Sequence, residues 1–279
     1  MEKTLSAMRL FWGGPSGKMK KRRKKPEGFQ VIAHEKTFFK ILDLFDKLPR
    51  GRILDLPSGE GALSHCLREM GFEVVAADID PQFFKASGIE CLHIDMDRTF
   101  PLEDESFDYI GCLEGIEHLE HPFQFIRECH RILKWNGRLI LSTPNILNVA
   151  SRLKYFLSGF YSLCPRPLNE FAHTPVFDHI NPMTSYQVRY VLHSSGFRIQ
   201  KTTTDLWRRS CFPLMLFYPL QRAYAIRTMR KELDPRQREA NKEIRKVLHS
   251  PDMLLGRTLI VDAAKQGKAG IEKIEASAV

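Results

Sequence analysis

The chain has 279 residues, 43% of them hydrophobic, with a formal net charge of +9 and a mean hydropathy of −0.28. Such a chain holds one sizeable α/β domain with additions or two small domains, and its composition excludes a collagen-like, wholly disordered or disulfide-framework protein. Seven of the positive charges lie within Lys18–Lys25, so the rest is close to neutral and a basic body that coats nucleic acid is excluded.

Six cysteines, at 66, 91, 112, 129, 164 and 211, show no C-x-x-C spacing and several fall on expected core faces. They read as reduced thiols in a cytoplasmic protein. The N-terminal stretch has no sustained apolar core of the kind a signal peptide needs. Cys211–Leu220, the most apolar later stretch, is too short to span a bilayer and holds two prolines.

In chain order, residues 1–28 are expected to form a flexible basic arm. Two readings of it stay open: a solvated tail, or one that docks to anionic lipid or to RNA. Phe29–Leu48 reads as an amphipathic helix, with Phe38, Ile41, Leu42 and Phe45 at helical spacing, ended by Pro49-Arg50-Gly51. Ile53, Leu54 and Leu56 form a short buried strand. Pro57-Ser58-Gly59-Glu60-Gly61 is a tight turn, where glycine permits positive φ and close approach of a ligand. Ala62–Met70 is a helix stopped by Gly71, and Val74–Ala77 a second strand ending at Asp78. Strand, glycine turn, helix, strand and acid make the first half of a nucleotide-binding α/β fold.

Charge chooses among ligands for that unit. Asp55 ends the first strand and Glu60 sits in the turn, an arrangement that repels a pyrophosphate and suits the ammonium and sulfonium of S-adenosylmethionine. The dinucleotide spacing G-x-G-x-x-G fails in either frame, at Pro57 or at Ser64. Asp78 is placed to accept hydrogen bonds from ribose hydroxyls. The competing reading is an α/β domain with a glycine turn and no cofactor.

Beyond Asp80-Pro81 comes a short helix, then a third strand over Glu90–Ile94 that ends at Asp95. Phe107–Glu114 is the fourth strand, and ligands of open α/β sheets bind beyond the carboxyl ends of strands, so Leu113 and Glu114 face the reacting end. Pro122 opens a helix with Phe123, Ile126 and Leu133 inward and a stop at Asn136-Gly137; Arg138–Thr143 is the fifth strand. Ile146–Leu157 is helical. The stretch near 158–183, with His173, Asp178 and His179, is long enough to be a lid. Thr184 caps a helix through Ser194, stopped by Gly196, and Phe197–Thr202 is a sixth strand. Two helices are inserted near 205–254, before a last strand at Arg257–Asp262 and a loose tail over 266–279.

Ile53–Gly61 resembles motif I of class I S-adenosylmethionine-dependent methyltransferases, and Val75–Asp78 the acidic motif that follows it. The likeness continues through Asp95-Met96-Asp97, Phe100–Tyr109, Cys112–His118 and Leu133–Asn145, about half the chain in the right order. It implies a Rossmann-like, doubly wound α/β fold over 29–265. The sheet would have seven strands, mostly parallel with an antiparallel last strand, and here a helical insertion. It implies S-adenosylmethionine as cofactor, held by Asp55, Pro57, Gly59, Gly61, Asp78, Ile79, Asp95, Met96 and Leu113. Asp95 would face the adenine amino group and Met96 the ring, unless Asp95 only makes a turn. Pro57 departs from the family, which usually has a small residue there; proline lacks the N–H, so one backbone donor to the cofactor is lost.

Methyl transfer from a sulfonium is an in-line displacement, for which the protein mainly supplies proximity and alignment. A base is needed only where the acceptor must lose a proton. His118 is the first candidate and His179 the second, each with a purely structural or solvent-facing role as the alternative. No metal-ligand spacing is present. The amino-methyltransferase signature of an acidic or amide residue, two prolines and an aromatic is absent at Gly111–Glu114, and no Tyr-x-x-x-Lys occurs. The expected function is O-methylation of a small-molecule, glycan or lipid-linked acceptor. The alternatives are an RNA methyltransferase, or an inactive RNA- or membrane-binding adaptor. Arg208–Arg222, apolar almost all round, is expected to be core or dimer contact, or else a segment lying on an anionic membrane. The oligomeric state is not written in these motifs.

Overall fold

The computed structural model describes residues 25–164, 167–168, 171 and 178–266. The expected basic arm, except its last four residues, the loose tail beyond residue 266 and much of the lid, His173 included, lie outside the described residues.

Helix α1 is Glu35–Phe45, shorter than the 29–48 expected, because His34 caps it and accepts the Lys36 N–H. It buries Phe38, Ile41, Leu42 and Phe45 at the spacing the sequence shows. Strand β1 (Arg52–Asp55) leads through the glycine turn into α2 (Ala62–Glu69) and β2 (Glu73–Asp78). Strand β3 (Cys91–His93) and β4 (Phe107–Leu113) follow, then α3 (Pro122–Ile132) and β5 (Leu133–Pro144). Next come α4 (Val149–Ser158), α5 (Ser185–Ser194) and β6 (Phe197–Thr203). The insertion carries α6 (Tyr218–Met229), α7 (Pro235–Leu248) and the short α8 (Pro251–Leu255), before β7 (Thr258–Lys265).

The sheet runs β3-β2-β1-β4-β5-β7-β6. Strands β3 through β5 are parallel to one another, and β7 is antiparallel to both β5 and β6. This is the seven-stranded, doubly wound α/β sheet expected from the sequence. Order reverses between β1 and β4, which makes the carboxyl ends of those strands the crevice of the fold. One face packs on α1 and α2 around Phe45, Leu67 and Ile140; the other packs on α3 and α5 around Phe107, Phe125 and Val191.

Three sequence expectations are corrected. Helix α3 stops at Ile132, because Leu133 already pairs with Phe107 in the sheet, while Asn136 takes positive φ inside β5. Its inward face is Phe125, Ile126, Cys129 and Ile132, and Phe123 is exposed. Arg208–Arg222 is not a buried helix: it forms two 3-10 turns, Arg209–Cys211 and Pro213–Phe217, and then the start of α6. Of its apolar residues only Cys211 is buried, against Val149, Leu254 and Leu255. The insertion is instead fastened at its ends, where Asp252 accepts from Trp207 Nε1 (2.9 Å) and Thr203 Oγ1 (3.0 Å), and Arg257 pairs with Asp205 (3.1 Å).

Candidate active site

The turn between β1 and α2 is shaped by two glycines with different tasks. Gly61, at φ +92°, is crowded: an added Cβ would lie 2.6 Å from the Phe84 ring and 2.9 Å from Ala86 Cβ. Gly59, at φ +51°, has nothing within 4 Å of that position, so its backbone is open to a ligand. Asp78, at the end of β2, reaches across and accepts the Gly59 N–H at 2.8 Å and the Asp80 N–H at 3.1 Å. A carboxylate has about four lone-pair sites, so acceptor capacity remains beside the turn. Ile79 next to it is exposed.

The two acids that argued from charge for a cationic ligand are otherwise engaged. Asp55 is 1% exposed and accepts the Ser64 hydroxyl at 2.5 Å. Burial pushes its carboxyl up to about 7, against the pull of Ser64. So enclosed a group braces the turn from behind through Ser64. Glu60 pairs with Lys85 at 2.7 Å and accepts the Gln30 N–H at 2.7 Å, and those partners hold its carboxyl below the usual range. Pro57 lies on the far side of the turn, close to Gly115: a Cβ on Gly115 would meet its Cδ at 2.6 Å. Asp95 accepts the Asp97 N–H at 2.9 Å, the turn-forming alternative, and keeps its other oxygen toward Arg98 at 3.6 Å. Met96 is buried in the core and Leu113 half-buried at the end of β4.

Immediately after β4, a 3-10 turn over Ile116–His118 gathers the rest of the site. His118 and His179 lie 61 positions apart in the chain, yet their rings meet edge to face at 4.9 Å. Asp178 O lies 2.9 Å from His118 Nδ1; a carbonyl only accepts, so Nδ1 carries the hydrogen and Nε2 the lone pair. Burial lowers both histidines below the ordinary imidazole value; for His179 the charge of His118 adds to it. Both are therefore neutral near pH 7. Glu117 is fully buried, and neither carboxylate oxygen is in full hydrogen-bond geometry. The Thr143 hydroxyl interacts with it weakly, outside full hydrogen-bond geometry, and offsets burial only in part. Burial, then the neighbouring charge of Glu114, raises the Glu117 carboxyl well above the usual range. Glu114 itself accepts from Ser142 Oγ at 3.0 Å and takes positive φ.

Sequence reasoning brought out His118 and His179 but not their meeting, which depends on residues 178–181 lying against Glu117 and His118 after β4. It missed Ser64, whose signal is a polar residue on the inner face of α2 beside Leu63 and Leu67. A groove between α3, α5 and α7, lined by Phe123, Tyr186, Tyr190 and Gln237, shares none of the turn residues.

Residues 54–141 match the family model described as a methyltransferase domain. Ubiquinone biosynthesis O-methyltransferases of Xanthomonas campestris pv. campestris and Xanthomonas oryzae pv. oryzae are each 36% identical over 107 residues, 35% of this chain and 45% of theirs. The chain thus spans less than half the length of these curated relatives. A crystallised S-adenosylmethionine-dependent methyltransferase from Archaeoglobus fulgidus superimposes with a TM-score of 0.52 at 18% identity, over 82% of this chain and 92% of that one. A Pyrococcus horikoshii protein gives 0.50 at 18% identity, over 82% and 89%. The sheet order, the glycine turn with Asp78 and the matched residues agree on one class. Residues 54–141 match a methyltransferase domain, and the fold around them is the one seen in S-adenosylmethionine-dependent methyltransferase structures.

Proposed function

We propose that this protein transfers a methyl group from S-adenosylmethionine to a hydroxyl oxygen of a small-molecule or lipid-linked acceptor. The observation that carries this is the pairing of an open, left-handed Gly59 with the Asp78 carboxylate at the carboxyl ends of β1 and β2. In this reading Gly59 and Gly61 shape the cradle, the spare lone pairs of Asp78 accept the ribose hydroxyls, and Ile79, Asp95 and Met96 border the adenine. Leu113 closes the reacting end. Pro57 gives that end no N–H. The cofactor, when bound, supplies a methyl group already activated on a sulfonium.

The chain's own task is then alignment and care of one proton. Neutral His118 and His179 present lone pairs at the end of β4, where an acceptor hydroxyl would lie. The bound cofactor would keep the carbon–sulfur electron pair on sulfur as the acceptor oxygen takes the methyl group, and the hydroxyl proton would pass to a histidine or to water. Oxygen as the acceptor atom is supported by the names of the relatives with 36% identity.

Exposed apolar side chains on α4 and the insertion support a lipid-linked acceptor met at a membrane. Phe156, Leu157, Leu216, Leu220 and Tyr224 are all more than two-thirds exposed, on α4 and on the insertion. From Leu206 to Lys231 the chain has six cations, Arg208, Arg209, Arg222, Arg227, Arg230 and Lys231, and no acid. Apolar side chains rimmed by arginines suit an anionic lipid surface. Among the described residues no helix is long and apolar enough to cross a membrane. Incubation with methyl-labelled cofactor and fractionated extract tests the activity: label in an extractable small molecule or lipid supports it, and label in RNA alone overturns it.

A further inference from the structure

The Glu117 carboxylate is the least explained group in the fold. It is fully buried, neither oxygen is in full hydrogen-bond geometry, the Thr143 hydroxyl interacts with it only weakly, and a second acid, Glu114, acts on it. An unpaired buried carboxylate is costly, and natural folds retain one where something compensates it. One ligand atom each from Glu117, His118 and His179 falls within 4.8 Å of the others, the spread of donors around a single ion.

We propose that Glu117, His118 and His179 form a binding site for one divalent transition-metal cation of the zinc, cobalt or manganese class. Two imidazole nitrogens and one carboxylate suit such ions, whereas magnesium and calcium prefer oxygen ligands throughout. The second shell is already in place. His118 gives its Nδ1 hydrogen to the Asp178 carbonyl at 2.9 Å, the partner a metal-bound histidine ordinarily has, which leaves Nε2 for the ion. The Glu117 backbone carbonyl accepts the Asn181 N–H at 2.9 Å, tying the β4 end to the lid segment that carries His179. Cys164 Sγ sits 3.7 Å from His179 Nδ1.

Three protein ligands leave coordination positions open. As a deepening of the methyl-transfer reading, on which this role rests, the cation takes the acceptor hydroxyl as a ligand and makes it more acidic. The proton then passes to water, the oxygen attacks the methyl carbon, and the histidines act as ligands rather than as bases. The ion also joins the turn after β4 to the segment that carries His179.

The test uses the full chain after chelator treatment and dialysis. Cobalt(II) is titrated in while its visible absorption is followed, and manganese(II) binding is measured by calorimetry. One equivalent of cobalt with visible ligand-field bands is expected, together with a rise in melting temperature on metal addition. Glu117→Gln keeps the shape and removes the charge; it and His179→Ala should each weaken binding at least about tenfold. S-adenosylhomocysteine affinity, measured in parallel, reports that each variant is folded. No stoichiometric cobalt or manganese binding by the intact protein overturns the site, as does undiminished binding in both variants. Metal binding without cofactor binding would leave the site standing and remove the methyl-transfer reading; the reverse result removes the site alone.

Discussion

Ser64 donates its hydroxyl hydrogen to Asp55 across 2.5 Å, and both side chains are enclosed. The pair joins the first turn of α2 to the end of β1 and so sets the angle of the glycine turn between them. Removing the hydroxyl leaves a buried acceptor without a donor, so Ser64→Ala should lower unfolding free energy by about 1–3 kcal/mol.

The same pair sets a pH dependence. Burial holds the Asp55 carboxyl at about 7 in the folded protein, against 3.8 as its reference value. Between those values the folded state binds the extra proton. The contribution is therefore fully present below about pH 4, falls as pH rises, and is lost above about 7, with a slope of at most about 1.4 kcal/mol per pH unit. Urea midpoints from pH 4 to 8 should fall more steeply in the wild type than in Asp55→Asn, which has no proton to lose. Equal slopes in the two proteins would remove this role.

The two glycines of the turn predict different failures. Alanine at 61 must accept a left-handed backbone, at roughly 1–2 kcal/mol, and place its Cβ against Phe84 and Ala86. Gly61→Ala should lose both melting temperature and cofactor affinity. Alanine at 59 meets open space, so Gly59→Ala should stay folded within about 2 kcal/mol of the wild type yet bind the cofactor poorly, since its methyl occupies the ligand's approach. Normal affinity in Gly59→Ala would show that no ligand passes there.

Much of the fold was legible because it depends on local signals. Thr184 reads as a helix cap, and it forms a capping box with Gln187; Gly71 and Gly196 end helices at positive φ. The β1-turn-α2-β2 order and the acid at Asp78 are contiguous in sequence and came through intact. The site was less legible, since its charges are decided by distant partners. Glu60 looks like a ligand contact until Lys85 and Gln30 are seen to hold it. Asp55 looks exposed at a strand end until Ser64 covers it. No metal-ligand spacing marks Glu117 in the sequence, and only folding places it beside His179, 62 positions later in the chain. Arg208–Arg222 shows the converse: its apolar count argues for burial, but an insertion tied down at Asp205 and Asp252 leaves that stretch on the surface.

That exposed stretch carries a prediction of its own. The intact protein should float with liposomes rich in anionic lipid at low salt and be released as salt screens the arginines. Leu216→Glu with Leu220→Glu should remain at the bottom of the gradient while binding the cofactor normally. A wild type that never floats would make the acceptor a soluble molecule.

The central claim is that Asp78 and the glycine turn hold S-adenosylmethionine. Calorimetric titration of S-adenosylhomocysteine into the wild type and into Asp78→Ala measures it most directly. One site is expected in the wild type, with no competition from NAD, and a loss of about 1.5–3 kcal/mol in the variant, the worth of hydrogen bonds to a charged group. Absence of binding in the wild type, or equal affinity in the two proteins, would contradict it.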